Sequence, residues 1–318
     1  MKYNRLSFKD AKTYPLKERM NKVDVARFGR PFKRGDTFKT FIDSLPDFLA
    51  VSDFSSVVSA IVEARRNGRP FILGMGAHPI KVGLSPIIID LIQSGIVTAI
   101  SLNGACIIHD FEIALGGQTS EDVASELISG NFGMAEETGR ELNKAINEGV
   151  SSGKGLGESV ALYIAKSEYK YREYSILASA YNRDIPITVH VGVGTDIIHM
   201  HPHADGCMIG EGSLRDFRLL SSVIADLSGG VYLNLGSAVI LPEVFLKALN
   251  IARNLGYEVD HFTTVNMDFM RHYRPMENVV KRPTIGDSKG YNITGHHEIM
   301  FPLLAASIKE GLDRDTIC

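Results

Sequence analysis

The chain has 318 residues, a formal net charge of −3, 44% hydrophobic residues and 22% charged residues. A chain of this length can bury a large core, and its nearly neutral charge argues against a nucleic-acid-binding protein. Three cysteines (Cys106, Cys207, Cys318) form neither a CxxC pair nor a disulfide framework, and no run of about 18 apolar residues occurs, so we expect a cytoplasmic protein without membrane contact.

The first 35 residues are strongly basic, with eleven Lys or Arg against three acidic residues. We therefore predict a basic N-terminal arm over residues 1–50. Such a run is usually a solvated segment, and a role in covering a site on a neighbouring subunit is the alternative. A single α/β domain is expected over residues 51–311, followed by a C-terminal tail over residues 312–318.

Short β-branched runs alternate with helical segments from about residue 50 onward. Each run is bounded by Gly, Pro or Asn, as expected of strands buried on both faces. Ser120 and Pro242 predict two helix starts, and Gly256 suits a C-terminal cap. The alternation predicts an α/β fold, a Rossmann-like mostly parallel sheet with helices on both faces. The predicted strands are "PFILGM", "IVTAISL", "IPITVHV", "GVYLNLG" and "VDHFTTVN".

Small or polar residues follow each predicted strand, and in parallel sheets ligands bind beyond the carboxyl ends. In "GMGAHPIKVG", Gly74 and Gly76 would let a nucleotide phosphate approach the backbone, although the third glycine of GxGxxG is missing. Glycines of a tight turn are the alternative interpretation.

The stretch "NGACIIHDFE" places Asn103, Gly104, His109 and Asp110 just after a strand. A buried Asp beside a His would be an acid/base or cation-binding pair. An acidic residue near a helix N-terminus explains the same pattern equally well.

Four of the ten histidines fall within "TVHVGVGTDIIHMHPHADG". On an extended strand His199, His201 and His203 would share one face and could bind a divalent metal such as zinc, with Asp196 as a further ligand. Pro202 interrupts a regular strand, so a polar pocket that uses one or two of these histidines is the favoured interpretation. A structural surface loop is the third.

Several of these loops, in this order, resemble the deoxyhypusine synthase family over about residues 70–305. The matching segments are "IKVGLSPIIIDLIQSGIVTAISLNGACIIHDFE", "SILASAYNRDIPITVH", "DIIHMH", "RPMENV" and "HHEIMFPLL". The resemblance implies a homotetrameric, NAD-containing transferase with active sites at subunit interfaces. By residue match, His201 and Glu277 would lie around the substrate. The residues along NAD would be Gly76, Ala77, Asn103, Gly104, Ala105, Asp110, Thr264 and His296.

The departures from the family argue against deoxyhypusine synthase activity itself. The imine-forming lysine of the family falls on Pro283, with Lys281 two residues earlier, and the chain has no tryptophan to pack on a polyamine. Lys81 adds a positive charge to the first loop, and His109 replaces an acidic residue. A desolvated polyamine needs carboxylates around it, whereas these changes add positive charge or remove negative charge.

Three functions stay open from the sequence. The first is a divergent, NAD-dependent enzyme with transferase or oxidoreductase-like chemistry, which performs a hydride-linked step on a small polar substrate. It would use His201 as base, Asp196 to orient it, and Lys281 or Lys81 as the cation. The second is a metal-dependent enzyme using His199, His201 and His203. The third is a non-catalytic nucleotide-binding protein.

Overall fold

In the computed structural model, which describes residues 3–312, the chain divides into two compact units, Met1–Val51 and Ser52–Cys318. The expected C-terminal tail, apart from Leu312, lies outside the described residues, as does Cys318. Within residues 3–312, no helix combines the length and the apolar character that crossing a bilayer requires.

The first unit is basic and folds back on itself between residues 24 and 48. Asp24 caps a short turn, and Arg27 forms an ion pair with Asp47 at 3.0 Å while its guanidinium lies over the Phe48 ring. Helix α1 (Phe38–Ser44) begins after Thr37, whose hydroxyl accepts the Thr40 amide. Many apolar side chains earlier in this unit are exposed, including those of Leu6, Phe8, Tyr14 and Met20.

The second unit is built on a sheet in which every strand is parallel to its neighbours. The strand order is β3-β2-β1-β4-β5-β6. The chain therefore forms β1 near the centre, adds β2 and β3 on one side, and then adds β4, β5 and β6 on the other. The strands are β1 (Phe71–Met75), β2 (Ala99–Asn103), β3 (Ile187–His190), β4 (Val231–Leu235), β5 (Thr263–Asp268) and β6 (Lys289–Thr294).

Helices cover both faces of this sheet, as the continuous apolar strands require. Ile72 and Tyr232 face a core formed with α10 (Gly206–Ala225) and α11 (Ile240–Asn254). Their neighbours Leu73 and Leu233 face a second core formed with α2 (Ala50–Arg66), α4 (Ser85–Gln93), α5 (Gly104–Gly116) and α13 (His297–Gly311). The predicted α/β, Rossmann-like architecture is therefore confirmed. The longer helices are α2 (Ala50–Arg66), α4 (Ser85–Gln93), α5 (Gly104–Gly116), α7 (Glu136–Ser151), α8 (Leu156–Lys166), α10 (Gly206–Ala225), α11 (Ile240–Asn254) and α13 (His297–Gly311). The shorter ones are α3 (His78–Lys81), α6 (Val123–Ser129), α9 (Ile176–Asn182) and α12 (Tyr273–Pro275), with a π-helical turn over Met276–Lys281.

Three local predictions need correction. The helix expected at Ser120 begins at Val123, because the Asp122 carboxylate caps it, while Ser120 has a positive φ of 73°. The helix expected at Pro242 begins two residues earlier. Gly74 lies inside β1, where a Cβ would meet the Tyr232 hydroxyl at 2.4 Å, so this glycine makes room for a buried ring and not for a phosphate.

Candidate active site

The loops after β1 and β4 meet at the carboxyl edge of the sheet, at the point where the strand order switches direction. The Gly76 amide donates to the Leu235 carbonyl at 3.0 Å, and a Cβ on Gly76 would lie 2.6 Å from the Gly236 carbonyl oxygen. Only glycine allows this approach of the two loops. In open α/β sheets this switch in strand order is the usual place for a ligand.

Helix α5 begins at the same edge of the sheet, directly after β2. The Asn103 side chain accepts the Cys106 amide and so caps the helix. The Asp196 carboxylate, from the loop after β3, packs against Gly104, where a Cβ would lie only 2.2 Å from its Oδ2. Burial raises the pKa of Asp196, and the nearby His199 and a hydrogen bond from Thr195 oppose that rise. The loops after β2 and β3 are therefore in contact, as predicted.

A cleft of about 470 Å³ opens next to these residues. It brings together four residues that the sequence selected: Ala105, His109, Asp196 and Lys81, the last residue of α3. Glu112, Thr119 and Glu121 also line it. The cleft is thus built from the segments that follow the first three strands.

His109 is joined to other polar groups of this cleft by a short chain of hydrogen bonds. Its Nδ1 lies 2.6 Å from the Thr119 hydroxyl, which donates to Glu112 Oε2 at 2.5 Å. The other Glu112 oxygen accepts from the Thr138 hydroxyl at 3.0 Å. Burial, and secondly the charge of Lys81, lowers the pKa of His109 to about 4, so the imidazole is neutral at physiological pH.

The histidine-rich loop forms no strand, which contradicts the predicted geometry of a metal site. Asp196 caps a 3-10 turn over Ile197–Met200, and this turn points the histidines in different directions. His199 Nδ1 accepts the Gly194 amide at 3.1 Å, and His203 is exposed. In the described part of the chain no three His, Cys, Asp or Glu side chains are grouped to hold a metal ion.

His201, the expected base, is buried below the loop and not in the cleft. Its Nε2 lies 2.8 Å from the Gly133 carbonyl oxygen, and a carbonyl can only accept, so Nε2 carries the proton. The ring packs against Gly139 of α7. These contacts are those of a structural histidine that anchors the loop, and Asp196 does not orient it by any hydrogen bond among the described residues.

Asp110 faces the core, although a position along NAD was expected for it. The carboxylate is 1% exposed and accepts the Ser175 hydroxyl at 2.5 Å and the Ile176 and Leu177 amides at 2.7 and 3.3 Å. Burial raises its pKa to about 6 despite these bonds. Asp110 therefore stabilises the start of α9. The alternative prediction, an acidic residue near a helix N-terminus, applies to α9 and not to α5, the helix to which Asp110 belongs.

Thr264, expected along NAD, and Lys281 with Glu277, expected at the reaction centre, lie away from the cleft. The buried Thr264 hydroxyl donates to the Val279 carbonyl at 2.6 Å, which places the π-helical turn beside the first residues of β5. Lys281 ends this turn and is bonded to Glu277 at 2.6 Å, and this bond lowers the pKa of Glu277. Thr264 and Lys281 thus lie towards the amino ends of the strands, opposite the edge where the cofactor was expected.

A second group of rings covers the carboxyl ends of β1, β5 and β6. His296, expected along NAD, is exposed and stacks on Phe269 with centroids 6.1 Å apart. Beneath them His297 is fully buried, 3.8 Å from Asp268 and edge-on to His78. Burial lowers the pKa of His297. Sequence reasoning treated the histidine pair as part of a helix start and missed both Asp268 and His78.

Comparisons with known proteins support the fold. No protein-family model and no curated protein matches the sequence. A proposed deoxyhypusine synthase from Entamoeba histolytica shares the structure with a TM-score of 0.56 at 14% identity, over 91% of this chain and 99% of that one.

Two further structures are more distant. A proposed LOR/SDH protein from Methanococcus maripaludis S2 has a TM-score of 0.51 at 15% identity, over 83% of this chain and 71% of that one. AgrE in its ternary complex with ornithine and NAD+ has a TM-score of 0.50 at 14% identity, over 81% of this chain; this chain spans only 32% of AgrE. The protein thus has a deoxyhypusine synthase-like α/β fold, as the sequence resemblance predicted.

Proposed function

We propose that this protein binds NAD at the carboxyl ends of β1, β2 and β4, and uses it in a hydride-linked step on a small polar substrate in the adjoining cleft. The observation that carries the proposal is the switch in strand order between β1 and β4, together with the cleft formed by the segments that follow β1, β2 and β3. One structural neighbour, AgrE, is described in complex with NAD+.

The residues present fit a dinucleotide. Gly76 and Ala77 follow β1, Asn103 ends β2, and Gly104 and Ala105 form the first turn of α5, where a helix N-terminus suits a phosphate group. Asp196, from the loop after β3, packs against the start of α5 and would accept hydrogen bonds from ribose hydroxyls. NAD supplies the hydride acceptor or donor, and the protein orients the substrate and moves the proton.

The same carboxylate favours NAD over NADP. A 2′-phosphate placed against Asp196 would be repelled, because this carboxylate has no ion pair with Lys or Arg within residues 3–312. We expect NAD+ to bind at least about tenfold more tightly than NADP+, which corresponds to about 1.4 kcal/mol.

The test is NAD release from the purified, denatured protein, followed by calorimetric titration with NAD+ and NADP+. In Gly76→Ala, the added Cβ must displace the Gly236 loop, so NAD+ affinity should fall about tenfold or more. Gly210→Ala, on a helical position with no atom within 4 Å, is the matched control and should bind NAD+ as the wild type does. Absence of released NAD together with absence of binding heat would refute the proposal.

A non-catalytic nucleotide-binding protein is the second candidate. It is favoured by the position of Lys281, which is bonded to Glu277 and remote from the cleft, so the lysine chemistry of the family has no counterpart there. If the protein binds NAD+ but forms no NADH with small polar alcohols or amines, this second function is favoured over the first.

A further inference from the structure

One row of paired residues crosses the whole sheet just before the strands end, and it is polar everywhere except at the glycine of β1. Ile72, Ala99 and Tyr232, two residues earlier in β1, β2 and β4, belong to the core formed with α10 and α11. Alternate residues of a strand share a face, so the row lies on the same side of the sheet. From β3 to β6 it consists of Thr188, Ser101, Gly74, Asn234, Asn266 and Asn292.

The asparagine half of this row is a chain of hydrogen bonds that runs in one direction. Asn234 Nδ2 donates to the Ser237 carbonyl at 2.9 Å and to Asn266 Oδ1 at 2.8 Å, and Asn266 Nδ2 donates to Asn292 Oδ1 at 2.8 Å. A carbonyl can only accept, so the orientation of the Asn234 amide is fixed. Its Oδ1 therefore points away from β5, towards β1, and accepts no hydrogen bond from any residue within 3–312.

The Tyr232 hydroxyl lies over the backbone of Gly74, where any Cβ would collide with it. The Tyr232 ring stacks on Phe245 with centroids 3.9 Å apart, so the hydroxyl is held in this place. It has no hydrogen-bond partner in the described part of the chain, and neither has the hydroxyl of Ser101 on the neighbouring strand. Ser101, Tyr232 and Asn234 are each 0% exposed, so three buried polar groups without a partner lie around one glycine.

The spacing of these groups suits a small polar ligand between them. Ser101 and Asn234 pair with Gly74 from the two adjacent strands, each about 4.8 Å away across the sheet. Polar atoms separated in this way are too far apart to bond directly, but one water molecule can bridge them.

The hydrogen-bonding capacity of the three groups also fits water. Asn234 Oδ1 needs a donor, whereas the hydroxyls of Ser101 and Tyr232 can donate or accept. A water molecule that donates to the amide oxygen and accepts from the hydroxyls makes three hydrogen bonds, the usual number for a buried water. None of the three groups is charged, so a cation bound to them would be buried without a counter-charge from its ligands.

We propose that one water molecule is bound inside the sheet at Gly74, held by Ser101 Oγ, the Tyr232 hydroxyl and Asn234 Oδ1. It joins the hydroxyl groups of the row to the asparagine chain. Through Asn234 it also supports the Ser237 carbonyl, in the loop that meets the loop after β1 at the candidate site. This inference does not depend on the proposed function.

The direct test is a high-resolution crystal structure of the full-length protein. We expect a single peak of electron density with contacts of about 2.5–3.2 Å to all three atoms. Density that is empty at this position, or a direct hydrogen bond between any two of the three groups, would overturn the proposal.

Thermal denaturation of Tyr232→Phe gives a second test, in which the sign of the change decides. The substitution keeps the ring and removes one partner of the water, so Tm should fall by about 1–4 °C. Tyr257→Phe removes an exposed hydroxyl and is the matched control, whose Tm should equal that of the wild type. A higher Tm in Tyr232→Phe would show that the hydroxyl is buried without any partner, and the proposed water site would be wrong.

Discussion

Gly139 lies inside α7 with the His201 ring directly against it. A Cβ at this position would lie 1.8 Å from His201 Nδ1, so an alanine must displace the ring and break its bond to the Gly133 carbonyl. Glycine to alanine in a helix normally stabilises a protein. Here we expect Gly139→Ala to lower the free energy of unfolding by about 1–3 kcal/mol, as overpacked cores do, which urea denaturation would measure.

The control for this change is Gly210→Ala in α10. No atom lies within 4 Å of a Cβ there, so the substitution should raise the free energy of unfolding by about 0.5–1 kcal/mol. If both variants were stabilised equally, the His201 ring would not be held at α7 in solution, and the histidine-rich loop would not be anchored by it.

His109 and Asp110 show how far the position of a single side chain can be predicted from the sequence. The sequence placed both just after a strand, which is correct, and treated them as a pair. Consecutive residues on a helix point about 100° apart, so one faces the cleft while the other faces the core. Thr119 could not be found from the pattern, because it follows the helix on an irregular loop with no spacing rule.

A single carboxylate on α10 connects three secondary-structure elements. Asp216 is 1% exposed and accepts the Gly157 amide at the start of α8 at 2.8 Å and the Val189 amide of β3 at 2.7 Å. Asp216→Ala would leave two buried amides without a partner, at about 1–3 kcal/mol each. We therefore expect a loss of about 2–6 kcal/mol in the free energy of unfolding, measured by urea denaturation.

The matched control is Asp226→Ala at the end of the same helix. Its carboxylate is 72% exposed and 3.7 Å from Arg69, so its removal should cost less than about 1 kcal/mol. Equal losses in the two variants would show that Asp216 contributes as an ordinary surface charge and that the amides find other partners.

At the level of elements, the sequence predicted the five buried strands because each is a short apolar run. Strand β6 was missed, since only Ile293 in "KGYNIT" is buried and the rest follows the polarity of an edge strand. The histidine triplet was considered as a strand because its spacing of two fits one. The Asp196 cap turns the backbone into a 3-10 helix instead, and this preference depends on contacts that the spacing does not show.

For the whole molecule, the sequence predicted that the loops after the strands meet at one edge but could not give the strand order. That order decides the site. Because β1 and β4 are adjacent, the loops after them meet at Gly76 and Gly236, whereas the π-helical turn returns to the other edge of the sheet with Lys281. Long-range pairing of this kind is set by the packing of both cores and not by any local pattern.

The stability of the folded protein should depend on pH through buried aspartates and buried histidines, whose pKa values shift in opposite directions. Burial raises the pKa of Asp216 to about 7 and that of Asp110 to about 6, while burial lowers the pKa of His190 and His109 to about 4. The folded state therefore binds more protons than the unfolded state at the aspartates and fewer at the histidines. The aspartates contribute stability that is lost as pH rises through their folded pKa values, and the histidines contribute stability that is lost as pH falls towards and below about 6.5.

The two effects oppose each other. Between about pH 8 and pH 6.5 protonation of the folded aspartates adds about 1 kcal/mol of stability, and protonation of the histidines in the unfolded chain removes a similar amount, so the wild-type Tm should change little. In Asp216→Asn most of the gain is lost, so its Tm should fall by about 1–3 °C over the same range, and thermal denaturation of both proteins checks the difference. Parallel curves for the two proteins would mean that Asp216 is ionised in the folded protein, with its hydrogen bonds outweighing the cost of burial.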